Sequence, residues 1–514
     1  MNGAESLVET LVAAGVRVCF TNPGTSEMHL VAALDHCPEM RSVLTLFEGV
    51  ATGAADGYAR MTGKPACTLL HLGPGLANGL ANLHNTRRAK VPIINLIGQH
   101  ATFHLPLDTP LTSDIEGIAR PFSNWLKTAD SVSEISRDAS SAVIASLTPP
   151  GQIATLIVPA DVAWKEGGTV GQTPEAPKSI LPSRDTVEIT ARKLKNSKAG
   201  ALLLAGKGLY GPGLVAAGRI ARATGVRLFA PYPFTRLQRG AGTPPVERIP
   251  YVKEQAVGIL KDVRLLVLAG SDPPTAYFAS PGQTSAFTHP ECEICTLSKP
   301  EEDSSGALES LASLLGAHNL DPICEPAQNV VLPSGAISLD GIALVIAALL
   351  PENAIVVDES MTSGRGILPA ARGGAPHDFL ANTGGSIGIA LPMAVGAAVA
   401  CPDRRVLCLS ADGSGMYTLQ ALWTMARSGL NITTIIFANR VYSVLKREFS
   451  ALGIGNPGPR ALDLLEIGRP DLDWISLGRG MGVPSRRVTS LEELGVALKE
   501  GFRADGPSLV EIPL

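Results

Sequence analysis

Short apolar runs of strand length alternate with stretches of helical periodicity along nearly the whole chain. Runs such as ACTLLHLG, VPIINLIG and IATLIVPA are apolar on both faces, as strands of a parallel sheet covered by helices must be. The opening MNGAESLVETLVAAGV carries the 3.6-residue period of an amphipathic helix. Two polar breaks rich in proline and glycine, WKEGGTVGQTPEAPKSILPS and LDPICEPAQNVVLPSGA, divide the pattern into three blocks. The reading is therefore α/β, with three doubly wound parallel-sheet domains over residues 1–165, 186–322 and 336–514.

The length agrees, since 514 residues make about three domains at roughly 150 residues each. Aromatic residues are only 4% of a chain that is 45% hydrophobic, which suits close-packed Ala/Gly/Val/Leu layers. A net charge of −4 offers no electrostatic footprint for nucleic acid or an anionic membrane. The first residues lack a basic and continuously apolar leader, and no run is long enough to span a bilayer, so a cytoplasmic protein is expected. Eight cysteines lie scattered in strings such as VRVCF and VLCLS and read as buried free thiols. The pair Cys292 and Cys295 has no second pair at zinc-ligand spacing. GKGLYGPG at 206–213 is a lone Gly-rich loop after a strand, with Gly206, Gly208 and Gly211 at G-x-G-x-x-G spacing, and by itself gives a nicotinamide dehydrogenase little support.

Candidate chemistry gathers at strand ends, where open parallel sheets bind ligands. The strands VLCLS and TTIIFA end in Asp412 and Asn439, 27 residues apart. One carboxylate and one amide oxygen are hard donors of the kind Mg²⁺ accepts, and Gly413 and Ser414 open a helix whose free N–H groups favour a diphosphate. A helix cap and a turn residue would look the same. The residues alone leave that choice open.

The stretch ADGSG followed by ANRVY resembles the diphosphate-binding motif of thiamine-diphosphate enzymes, with Ala411 and Ala438 where that motif usually has Gly and often has Asn. In LFEGVATGAADGYAR, Glu48 stands eight residues before Asp56, similar to a second signature of the same enzymes. The resemblance covers the whole chain and is to the 2-keto acid decarboxylase/acetolactate synthase branch, within it most to benzoylformate decarboxylase. It implies thiamine diphosphate and Mg²⁺ as cofactors. Asp412, Asn439 and the Val441 carbonyl would be metal ligands, and Glu48, Asn78, Thr362, Gly385, Ile387, Gly413, Ser414 and Tyr442 would contact the cofactor. Glu48 would hydrogen-bond the aminopyrimidine and promote loss of the thiazolium proton, a task for a carboxylate of matched pKa.

The same resemblance makes His71 and Thr25 catalytic, since TNPGTSE and LLHLGPGLANG match the branch's active-site loops. His71 as a mere strand cap is the plainer reading of that residue. Leu111, Tyr277, Val444 and Leu445 would line a pocket for a small or aromatic 2-keto acid, while Arg447 and Arg460 are cations available to an acidic group. Tyr277 falls where benzoylformate decarboxylase has a second histidine. Slower protonation there would favour carboligation of the intermediate. An acetolactate synthase-like carboligase is the rival, although PYPFTRLQRGAGTPPVERIPY shows no counterpart of that enzyme's FAD segment and no FAD is expected. A cofactor-binding paralogue without turnover is the alternative of another class. The branch places its cofactor between subunits, so a homodimer or homotetramer is expected, with no membrane or nucleic-acid partner.

Overall fold

The computed structural model describes residues 1–172, 174–279, 281–282 and 284–514. Its strands form three sheets. In spatial order the first is Arg41–Leu44, Val18–Asn22, Ala66–Leu70, Ile93–Gln99, Ile153–Pro159 and Trp125–Thr128, all parallel. The second is Glu247–Arg248, Arg227–Ala230, Gly200–Leu204, Leu265–Ala269 and Glu293–Ser298, again parallel. The third runs Ser485–Arg487, Ser508–Pro513, Ile432–Ala438, Val406–Ala411, Ala354–Glu359, His377–Ala381 and Arg236–Arg239. The α/β architecture read from the apolar runs is the one observed. Among the described residues, no helix is long and apolar enough to cross a membrane.

The last strand of the third sheet departs from the expected block order. Arg236–Arg239 lies in the middle stretch of the sequence, yet it pairs antiparallel with His377–Ala381. Its arginines explain the placement: Arg236 forks onto Asp378 at 2.7 and 3.2 Å, and the buried Arg239 donates to the Leu368 and Val246 carbonyls. Strand pairing here follows where buried guanidinium groups find acceptors.

The first and third sheets are joined by two helices, Glu48–Thr62 and Ala390–Ala400. They approach so closely that a Cβ at Gly396 would sit 1.8 Å from the Ala54 carbonyl oxygen, and one at Gly57 would sit 2.1 Å from that of Met393. Asp56 and Arg60, the two charged residues of the ADGYAR signature, are fully buried beside this joint, with Arg60 Nε 2.5 Å from Asp56 Oδ1. Arg60 also donates to the Ala381 carbonyl at 2.6 Å and to Thr383 Oγ1 at 3.0 Å. The signature's carboxylate is thus a structural tie between sheets. Leaving either buried charge alone would cost about 3–5 kcal/mol.

Candidate active site

Both half-sites sit at places where strand order reverses. In the first sheet the chain goes from Val18–Asn22 outward to one side and then returns to Ala66–Leu70 on the other, leaving a crevice at the strands' carboxyl ends. Asn22 is in register with Leu70, so Asn22 and His71 flank that crevice. Glu48 opens its helix beside them, buried, and its carboxylate accepts from Asn22 Nδ2 at 3.1 Å and Asn78 Nδ2 at 2.9 Å. Two amide donors hold it in one orientation.

His71 is backed by a residue that sequence reasoning missed. Glu27 is wholly buried, and its Oε2 lies 2.7 Å from His71 Nδ1. The same carboxylate accepts from Gly24 N at 2.8 Å and Ser26 Oγ at 2.6 Å. Among the described residues His71 Nε2 has no protein partner. A buried carboxylate that fixes one ring nitrogen leaves the other to exchange protons with a ligand. Ser26 Oγ lies 3.3 Å from His71 Nδ1. Thr25 and Leu111 share with His71 a cavity of about 400 Å³, to which His29, His100 and His104 also contribute. Burial, with His104 and His71 nearby, pushes the His100 pKa down.

In the third sheet the reversal falls between Ala354–Glu359 and Val406–Ala411, where Glu359 pairs with Ser410. Asp412 and Asn439 follow the adjacent strands, Ala411 being in register with Phe437. Asp412 Oδ2 accepts from Arg440 N at 2.7 Å and Oδ1 from Gly413 N at 2.9 Å, while Asn439 Oδ1 accepts from Val441 N at 3.1 Å. Burial raises the Asp412 pKa, outweighing those hydrogen bonds. Tyr442 covers the turn so closely that a Cβ at Gly413 would lie 2.6 Å from its ring. Ala411 has an ordinary extended backbone, φ −76° and ψ 153°, so glycine is not needed there. Ser414 is buried in the same turn.

The remaining predicted contacts line this crevice in part. Thr362 is half-buried just past the Glu359 strand, and Gly385, at φ 79°, and Ile387 occupy the loop before helix Ala390–Ala400. Glu359 ties that loop down, accepting from Asn382 Nδ2 at 2.8 Å, Gly388 N at 3.0 Å and Ala390 N at 3.2 Å. Its burial pushes the pKa up to about 7. Tyr277 packs against Gly385, while Val444 and the exposed Leu445 lie on helix Ser443–Ala451. These three do not join Leu111 in the His71 cavity. Arg460 is exposed on a short helix.

Three non-glycine residues in left-handed backbone mark the same places: Leu72 (φ 53°) after His71, Met361 (φ 52°) before Thr362 and Arg440 (φ 58°) after Asn439. Each costs of order 1–3 kcal/mol and persists where the surroundings impose it, typically at functional sites.

The donors fit thiamine diphosphate with a divalent cation. Two hard oxygens end adjacent strands, one on a buried carboxylate that a cation would relieve, and an amide-clamped glutamate is available to an aminopyrimidine. Arg60 touches Ala381 and Thr383 at the root of the Gly385 loop. Glu48 lies twelve residues before Arg60 on the same helix, a rise of about 18 Å at 1.5 Å per residue.

Comparison with known proteins agrees with this picture. Residues 1–116 match the thiamine pyrophosphate enzyme N-terminal TPP binding domain, and residues 368–512 match the C-terminal TPP binding domain. A Mycobacterium tuberculosis protein named "Putative acetolactate synthase large subunit IlvX" is 49% identical over 100% of this chain and 99% of its own. A Pseudomonas aeruginosa benzoylformate decarboxylase is 26% identical, covering 98% of this chain and 97% of its own. Among solved structures, the Rhodococcus jostii thiamine diphosphate-dependent 4-hydroxybenzoylformate decarboxylase superposes with a TM-score of 0.84 at 22% identity, over 99% of this chain and 98% of that one.

Proposed function

Since this chain belongs to the thiamine pyrophosphate enzymes of the decarboxylase/acetolactate synthase family, we propose that it decarboxylates a 2-keto acid without oxidation, using thiamine diphosphate and Mg²⁺. The observation that carries this reading is the buried Glu48 carboxylate gripped by Asn22 and Asn78 at a sheet's switch point. Bound thiamine diphosphate supplies the carbanion chemistry by which a 2-keto acid loses CO₂. Glu48 accepts and returns a proton at the aminopyrimidine, and Asn22 and Asn78 keep its two oxygens aimed. His71, held by Glu27 through Nδ1, moves a proton at Nε2 toward the substrate. Asp412, Asn439 and the Val441 carbonyl would hold the metal, and the Gly413 turn would hold the diphosphate.

The resemblance to a branch that places its cofactor between subunits supports an active site completed by a second copy, with Glu48 of one protomer facing the Asp412 half of its partner. Exposed apolar side chains at both halves, Met28, Phe103 and Leu107 on one and Tyr417, Leu445 and Ile454 on the other, support burial in such an assembly. A carboligase is the second reading. It is favoured by the name of the M. tuberculosis relative and by Tyr277, a neutral phenol and poor proton donor where a histidine would protonate quickly.

The test supplies purified protein with thiamine diphosphate, Mg²⁺ and, in turn, pyruvate, benzoylformate and branched 2-keto acids, reading CO₂ and hydroxyketone separately. CO₂ with aldehyde is expected. Hydroxyketone as the main product would select the second reading, and cofactor binding without CO₂ from any substrate would overturn both.

A further inference from the structure

The wall between the middle sheet and the cofactor half-site is cationic. Tyr232, Tyr251 and Tyr277 form a closed triangle, with ring centroids 5.7, 5.9 and 5.5 Å apart. Arg248 Cζ lies 5.4 Å from the Tyr232 centroid, and Arg447 Cζ lies 5.7 Å from that of Tyr251. Arg365 is half-buried within the field of both arginines, and its pKa is lowered by burial first and by those like charges next.

Among the described residues, none of these three arginines has a carboxylate within ion-pair distance, and the buried Nη2 of Arg447 has no hydrogen-bond partner. Elsewhere the fold supplies its inward-facing arginines: Arg60, Arg236 and Arg239 all donate to protein acceptors. Two acids border the cluster without pairing to it. Glu448 accepts the Tyr251 hydroxyl at 3.3 Å, and Asp358 is bound by the backbone N–H of Ser360 at 3.0 Å. Unpaired, partly desolvated guanidinium groups beside phenolic donors are the chemistry that holds a carboxylate or phosphate.

The cluster's position says what brings that anion. Tyr277 Cε1 would lie 3.4 Å from a Cβ at Gly385, in the loop expected to carry the cofactor. Arg447 follows Val444 and Leu445 on the same helix. We propose that these tyrosines and arginines form an anion subsite that takes the distal carboxylate of the substrate, making this a 2-oxo dicarboxylate enzyme. The use of the site in turnover rests on the function proposed above; its binding of an anion does not.

The test titrates the full chain, with and without thiamine diphosphate and Mg²⁺, with glutarate, butyrate and ADP by calorimetry, and assays 2-oxoglutarate against pyruvate. Glutarate is expected to bind and butyrate not. Arg447→Gln and Arg365→Gln should each weaken glutarate about tenfold or more, the worth of one charge-assisted hydrogen bond. Arg447→Gln should also raise KM for 2-oxoglutarate about tenfold more than KM for pyruvate. Glutarate binding no better than butyrate, or unmoved by either substitution, would overturn the proposal. ADP binding tighter than glutarate would replace the substrate carboxylate with a nucleotide phosphate. A loss of oligomeric state in Arg447→Gln, seen by sedimentation, would mean that the arginine serves a subunit contact instead. If glutarate binds as expected but no 2-keto acid is consumed, the subsite stands and the decarboxylase reading falls.

Discussion

The two half-sites of one chain are built on the same topological device and finished in opposite ways. In the first half-site both buried carboxylates are answered from within: Glu48 by two amides, and Glu27 by a backbone N–H, a hydroxyl and an imidazole. In the third, Asp412 is a buried carboxylate held by two backbone N–H groups and with a raised pKa, and Arg447 keeps a buried nitrogen without a hydrogen-bond partner among the described residues. The first half is preorganised for proton movement, which needs fixed atoms and matched acids. The second pairs a buried, destabilised carboxylate with cationic groups, the chemistry that a metal and an anionic ligand would complete. That difference predicts that damage to the first half removes turnover, whereas damage to the second removes binding.

Glu48→Gln should give the largest effect. It keeps shape and hydrogen-bonding capacity but cannot carry the proton, so kcat should fall by at least about 100-fold, the low end of what a positioned acid–base group contributes. Cofactor affinity, measured by calorimetry in Mg²⁺, should change little. Retained turnover would break the assignment of proton chemistry to this half. Asp412→Asn should do the reverse, weakening thiamine diphosphate and Mg²⁺ by about 10–100-fold, with turnover largely restored at saturating cofactor. If saturation restored nothing, the distinction between the halves would fail.

The difference between the halves also decided what the sequence disclosed. Strands buried on both faces, such as Ile93–Gln99 and Ile432–Ala438, announce themselves as apolar runs. Trp125–Thr128 and Ser485–Arg487 lie at sheet edges, half-buried or polar, and give no such signal. His377–Ala381 begins with two polar residues that are buried because Arg236 and Arg404 meet Asp378, contacts 142 and 26 residues away in the chain. Asp412, Asn439 and Glu48 stand alone at a strand end or open a helix, a pattern shared with caps and turns, and it was the family resemblance that singled them out. Glu27 was not singled out. It reads as a loop acid, and only folding carries it 44 residues along the chain to His71. The tyrosine–arginine cluster draws on four separated stretches and has no local pattern at all.

Glu27 offers a finer test of the first half. If it acts only through His71, Glu27→Gln should lower kcat/KM about tenfold, within the range of one charged hydrogen bond. The double variant with His71→Ala should then be no slower than His71→Ala alone, as for groups that work as a unit. Additive losses would separate the two residues and leave Glu27 a packing group.

The smallest effect belongs to Glu359, the one carboxylate in the second half whose donors come from the cofactor loop itself. Burial raises its folded-state pKa to about 7, above the ordinary glutamate value of 4.5. The native state therefore binds this proton more tightly than the unfolded chain does. Stability from this group is fully present below pH 4.5 and is lost as pH rises toward 7, with a slope of at most about 1.4 kcal/mol per pH unit. Melting temperatures of the wild-type chain and Glu359→Gln, taken across that window, should differ most in wild type's favour at the acid end and level off above neutrality. A difference that stays flat or grows with pH would show that the three donors hold an ionised carboxylate, and that this corner of the second half is as well satisfied as the first.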